Sequence, residues 1–129
     1  MSVPAAPCQP RILAVDDEPS VLAMVVAVLE SEGYSVTTSA SAEDSVYRLR
    51  HERFDMVVTD MRMEKATSGF EVVRAARELK ERPAIIVLSA YAIAEEKWRA
   101  AGADACLMKP APIPQLTATI RQLLAVRKK

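Results

Sequence analysis

Glycine is scarce in this chain, with three among 129 residues. No glycine-rich loop is present to cradle a phosphate with its amides. Cysteine is scarcer still: Cys8 and Cys106 are the only two. No disulfide framework can stand in for a core, and both read as free thiols of a reducing compartment. The single histidine, His51, has no second candidate ligand near it in sequence, so it reads as a surface residue and not as a phosphodonor or metal ligand. Neither sign of charge is in excess, since 17 basic residues balance 17 acidic ones. That excludes a global basic field for gripping nucleic acid and a strong pull toward anionic lipid. Long apolar runs are missing too. The longest, 21–29, is far too short to span a bilayer. The first ten residues carry three prolines but neither a basic start nor an apolar stretch, so they read as a flexible leader and not as a secretory signal. These absences predict a soluble, cytoplasmic protein with no membrane insertion and no direct nucleic-acid contact.

Half of the residues are hydrophobic, enough to bury a real core in one domain. Short β-like runs alternate with helical spacing. Strands are predicted over 11–15, 34–38, 54–59, 83–88 and 105–108. Helices are predicted from Pro19 to near Gly33, over 41–50, 70–80 and 93–101, and from Ile113 to the basic end. Ser41 is placed to cap the second helix, with Val46 and Leu49 facing inward, and Gly102 to stop the fourth. Five strands alternating with five helices predict an α/β domain over 11–129, a parallel sheet covered on both faces.

Ligands of open parallel sheets sit outside the carboxyl ends of the strands. The first run ends at Asp16 and Asp17, the third at Asp60, the fourth at Ser89 and the fifth at Lys109. Taken singly, these are ordinary cap, turn or surface residues. Together they bring three carboxylates, a hydroxyl and an ammonium to one edge. Crowded carboxylates repel, and a hard divalent cation such as Mg²⁺ relieves the repulsion. One carboxylate can then attack a phosphoryl group while the lysine and the hydroxyl meet its oxygens.

The sequence resembles the receiver domain of two-component response regulators across roughly 11–126. The resemblance rests on Ile12-Leu13-Ala14-Val15-Asp16-Asp17-Glu18-Pro19, Val57-Val58-Thr59-Asp60-Met61-Arg62-Met63, Gly69-Phe70-Glu71, Val87-Leu88-Ser89-Ala90-Tyr91, Ala101-Gly102-Ala103-Asp104 and Leu107-Met108-Lys109-Pro110, in that order. It implies a flavodoxin-like, doubly wound five-stranded sheet of order 2-1-3-4-5 with five helices. It implies that Asp60 accepts the phosphoryl group and that Ser89 and Lys109 assist. Mg²⁺ would be held by Asp16, Asp17, Asp60 and the backbone carbonyl of Arg62, and the Met61 and Ala90 amides would meet phosphoryl oxygens. Lys109-Pro110 would be cis. The implied donor is a histidine kinase or a histidine phosphotransfer domain. The output is a contact with a downstream protein, from a phosphoacceptor that is not itself a turnover enzyme.

The sequence departs from that family at its signalling parts. Cys106 stands where receivers carry Tyr or Phe, and Glu64 stands where a proline is usual. The loop from Asp60 to Gly69 is one residue longer than is usual in that family, and the stretch from Ser89 to Lys109 about two residues shorter. A truncated fourth helix is therefore expected. These changes also admit an alternative, a receiver-fold interaction module that works without phosphorylation. A phosphate-ester hydrolase lacks support, because Asp60-Met61-Arg62 provides no second acid. Trp98 reads as a packing residue. Val21, Met24 and Val28 form a candidate kinase-docking strip on the first helix. The fifth helix leaves no length for a helix-turn-helix before Lys129.

Overall fold

A strand buried on both faces must send alternate apolar side chains to opposite sides. In the computed structural model, which describes residues 9–63, 65 and 68–127, the central strands do this. They are β1 (Arg11–Val15), β3 (Met56–Asp60) and β4 (Ala84–Ser89). Ile12, Ala14, Met56, Val58, Ile86 and Leu88 point to one side, where Val25 and Leu29 of α1 (Pro19–Ser31) and Leu116, Ile120 and Leu124 of α5 (Ile113–Arg127) complete a core. Leu13, Val15, Val57, Ile85 and Val87 point to the other. There they meet Leu49 of α2 (Ala42–His51) and Val72, Val73 and Ala76 of α3 (Ser68–Arg77). The edges are β2 (Ser35–Ser39) and β5 (Ala105–Met108), and α4 (Glu95–Ala101) lies before β5.

All four strand pairs are parallel and the order is β2-β1-β3-β4-β5. The order reverses between β1 and β3. A crevice opens there at the carboxyl edge, because neighbouring connections leave toward opposite faces. The β3–β4 register sets Asp60 opposite Leu88, and the β4–β5 register sets Ser89 opposite Met108. The Lys109 amide extends that ladder by donating to the Ser89 carbonyl at 2.7 Å. Each chemically capable residue is thus fixed by a strand end. The Lys109–Pro110 peptide is cis.

Several helix details differ from the sequence pattern. Ser41 caps α2 as expected, its Oγ accepting from the Asp44 amide at 3.0 Å. The inward row of α2 is Ala42, Ser45 and Leu49, however, and Val46 is only half-buried. Ser45 sits inside because its hydroxyl is spoken for: it donates at 2.7 Å to the Ser41 carbonyl and lies 2.9 Å from Ser39 Oγ. The strip predicted on α1 does not form, since Val21 packs against the core, Val28 is half-buried and Met24 alone is exposed. Helix α3 starts two residues before its predicted place and ends at Arg77. Helix α4 is cut to seven residues, because Ile93 and Ala94 stay in the preceding loop. Gly102 ends it in the left-handed conformation, φ +113°. Cys106 is a free thiol, whereas Cys8, most of the 1–10 leader, Glu64 and the last two lysines lie outside the described residues.

Candidate phosphoryl-transfer site

One carboxylate oxygen each from Asp16, Asp17 and Asp60 come within 4.8 Å of one another. Asp16 and Asp60 are buried and Asp17 is exposed. Asp16 follows the end of β1. Its Oδ1 accepts from the Glu18 amide at 3.0 Å, which fixes the turn into α1, and its own amide donates to Ser39 O at 3.1 Å. Lys109 Nζ reaches between two of these acids, 3.2 Å from Asp60 Oδ1 and 3.3 Å from Asp16 Oδ2. Ser89 is buried at the end of β4, and its Oγ accepts from the Tyr91 amide at 3.1 Å.

The electrostatics follow from that packing. Burial raises the Asp60 pKa from its ordinary value, and the nearby Asp16 charge adds to the rise. The Lys109 ammonium and the Met61 amide pull against it. Burial works to lower the Lys109 pKa, but the charges of Asp16 and Asp60 outweigh it, so the net movement is upward and the ammonium is kept. One cation serves two close carboxylates, and Asp17 adds a third acid. The donor set is therefore all oxygen, short of positive charge, and open to solvent on the Asp17 side. Such a set suits Mg²⁺, which takes one or two carboxylates and keeps several waters.

The structure brings Asp16, Asp17, Asp60 and Lys109 together, with Ser89 at the adjoining strand end. The Met61 amide is shared and not free, since it donates to Leu88 O at 2.9 Å and also supports the Asp60 carboxylate. Arg62 follows on the surface. Acids at the opposite edge of the sheet are used differently. Asp55 Oδ2 accepts from the Arg11 amide and Asp104 Oδ2 from the Ile85 amide, each at 2.8 Å, so these two hold strand starts.

Gly69 is a site residue to which the sequence pattern attached no role. Its amide donates to Met61 O at 2.8 Å. A Cβ there would stand 2.6 Å from the Asp60 carbonyl oxygen and 2.7 Å from Met61 Cα. Only a residue without a side chain lets α3 press this closely on the Asp60 backbone. The available signal was one of three glycines placed at a helix start, where a cap residue would be the ordinary choice.

Comparison with known proteins agrees with this geometry. The response regulator receiver domain family matches residues 12–121. The transcriptional regulatory protein YvrH of Bacillus subtilis is 37% identical over 113 residues, covering 85% of this chain and 47% of that protein. A CheY-like response regulator receiver domain protein from Methanospirillum hungatei superposes with a TM-score of 0.86 at 29% identity, covering 94% of this chain and 98% of that one. The receiver domain of the sensor histidine kinase PA1611 from Pseudomonas aeruginosa, with magnesium coordinated in its active-site cleft, superposes with a TM-score of 0.80 at 27% identity, over 92% of this chain and 99% of that one. The chain spans about half or less of the length of the first curated relatives it matches. Five parallel strands in the order 2-1-3-4-5, five helices and an acidic cluster at the strand ends accompany a family match over nearly all of the described residues, and the chain belongs to the response regulator receiver domains of two-component signal transduction.

Proposed function

We propose that the receiver unit, from Arg11 onward, accepts a phosphoryl group on Asp60 from the phosphohistidine of a histidine kinase or a histidine phosphotransfer domain, in the cytoplasm. The observation that carries this reading is Lys109 Nζ set between Asp60 and Asp16, with Asp17 completing the acidic cluster. The ionised Asp60 carboxylate attacks phosphorus, an O–P bond forms and the donor's N–P bond breaks. The electron pair of that bond stays with the imidazole, which takes up a proton. Asp16, Asp17, Asp60 and the Arg62 carbonyl are the groups that would hold Mg²⁺. When bound, the ion offsets the charge on the transferred oxygens. Lys109 is freed from its pairing with Asp60 as the carboxylate becomes an acyl phosphate, and turns its charge to a phosphoryl oxygen. The Ser89 hydroxyl and the Ala90 amide meet other oxygens, and the Met61 amide contributes once its bond to Leu88 relaxes. Water later cleaves the acyl phosphate, so the product is a changed protein surface that a downstream protein reads.

Cys106 favours a second reading, in which the fold serves as an interaction module without phosphorylation. A thiol at that position of β5 cannot move a ring between buried and exposed states. The two readings separate in intact-protein mass after incubation with acetyl phosphate and Mg²⁺. A single phosphoryl adduct that needs Mg²⁺ and is lost in Asp60→Asn supports the phosphoacceptor. No adduct from acetyl phosphate or from phosphohistidine donors supports the module.

A further inference from the structure

Cys106 lies on the side of the sheet that packs against α2, α3 and α4, in the cluster that also takes in Phe70, Ile93 and Trp98. On the same side, the β4–α4 loop and the start of α3 enclose a cleft of about 360 Å³. Met61, Phe70, Ser89, Tyr91, Ile93 and Lys97 line it. Its size is at the small end of the roughly 300–1,000 Å³ of pockets that take a drug-sized molecule, so one phenol ring has room. Its inner surface is mainly apolar, with the Arg62 and Lys97 side chains also among its lining. An aromatic ring gains there from burial and from nearby cations.

Tyr91 is the ring within reach. It belongs to the cleft lining, yet 64% of it is exposed. Its amide donates to Ser89 Oγ at 3.1 Å, which closes the turn between β4 and the loop. The helix beyond that loop is weakly held. Ala94 at the start of α4 makes no side-chain cap bond, and α4 has no fully buried residue, only the half-buried Trp98 and Ala101 resting on the core.

We propose that Tyr91 takes over the reporting role that Cys106 cannot fill. This inference rests on the phosphoacceptor reading of Asp60. The Tyr91 bond uses Ser89 Oγ as an acceptor and leaves the hydroxyl proton free to donate elsewhere. When Ser89 turns to give it to a phosphoryl oxygen on Asp60, Oγ leaves the Tyr91 amide and the turn opens. The ring then folds into the cleft between Phe70 and Ile93, and the surface beside α4 changes from an open apolar cleft to a closed face. Phosphorylation is thus read two residues past the β4 hydroxyl and not from β5.

The test uses the full chain with Mg²⁺ and acetyl phosphate, with adduct mass read in parallel. The three tyrosines are Tyr34, Tyr47 and Tyr91. Labelled as 3-fluorotyrosine they give three fluorine resonances, and Tyr91→Phe assigns the relevant one. Adduct formation should move the Tyr91 resonance and leave the other two in place. In a Trp98→Phe background, Tyr91→Trp places the sole indole at the mouth of the cleft. Its emission should shift to the blue and its quenching by iodide should fall about threefold on phosphorylation. In Ser89→Ala, whatever adduct forms should leave both signals still. An adduct with an unmoved Tyr91 resonance and unchanged quenching overturns the relay and spares the phosphoacceptor. An equal shift in Ser89→Ala overturns the part given to the hydroxyl. No adduct under any donor removes the phosphoacceptor, and the relay with it.

Discussion

Two strand ends approach the same site and are built in opposite ways. After β3, the chain returns to press α3 onto the backbone of Asp60 and Met61: Gly69 N–H bonds Met61 O at 2.8 Å, and α3 buries Ser68, Gly69, Val72, Val73 and Ala76. After β4, it runs through an exposed loop into a seven-residue helix with no fully buried residue, resting on the core through the half-buried Trp98 and Ala101. One junction sets the position of Asp60, while the other holds Ser89 Oγ by a single amide donor, a bond that is lost when the side chain turns. Chemistry needs the first kind of junction and signalling the second. An attacking oxygen must be placed within a fraction of an ångström, while a change of state needs a segment of low local stability.

Gly69→Ala tests the rigid side and carries the largest expected effect. The new methyl meets backbone atoms at 2.6 and 2.7 Å, and neither can step aside cheaply. Overpacking of this kind costs about 3 kcal/mol, or a fall of roughly 10 °C in Tm at this size. Tyr91→Ala, on the loose side, should stay within about 0.5 kcal/mol of the parent. Equal losses in thermal or urea melts would break the contrast between the junctions.

Next in size is the effect of the cation. The metal-free site holds three acids against one lysine, so Mg²⁺ should stabilise the fold. At a hundredfold excess over its Kd the gain is about 2.7 kcal/mol. Asp17→Asn should remove most of that gain and barely change melting in EDTA, because Asp17 is exposed and Asp16 and Asp60 keep Lys109. A full Mg²⁺ response in Asp17→Asn would take that acid out of the metal set.

The fold was legible wherever a signal was local. Apolar runs that end in Asp16, Asp60, Ser89 and Lys109 marked the strands and the candidate site together, because a parallel sheet puts all such ends on one edge. Ser41 and Gly102 marked helix limits through chemistry carried by the residues themselves. Contacts made across the fold stayed hidden. Ser45 replaced Val46 in the inward row because Ser39 and Ser41 lie within its reach. Val21 left the exposed face of α1 because the core extends to it. The need for glycine at 69 arises only when α3 docks on β3. The Ser89–Tyr91 bond depends on a loop conformation that no hydrophobic period encodes.

Asp60 itself is an electrostatic burden on the rigid junction, and its sign can be worked out. Its pKa is raised by burial in the folded chain. The folded state therefore binds that proton more tightly than the unfolded state. The contribution of Asp60 favours folding when it is protonated at low pH, and declines as pH rises through its folded range. Asp60→Asn is neutral at every pH, so in EDTA at neutral pH it should be more stable than the parent by about 1 kcal/mol. That advantage should shrink as pH falls and Asp60 becomes protonated in the parent too. A variant less stable than the parent at neutral pH would mean that the Lys109 pairing outweighs burial.

The smallest effect lies on the loose side and sharpens the contrast most. Ala94 precedes α4 with extended backbone and no side chain able to accept an amide. Ala94→Ser supplies an acceptor, a change worth about 0.5 kcal/mol at the low end of cap effects. Because α4 has no fully buried residue, that increment should show directly, raising amide protection along 95–101 about twofold. Protection in β3 and α3 should be unchanged, since those amides open only with the whole domain. The same cap should resist the opening of the β4–α4 turn without touching Asp60 or Lys109. Adduct yield is therefore expected to hold while the Tyr91 response to the adduct weakens. If protection rose equally across both junctions, α4 would belong to the same cooperative unit as the site, and the division between a fixed and a movable strand end would fail.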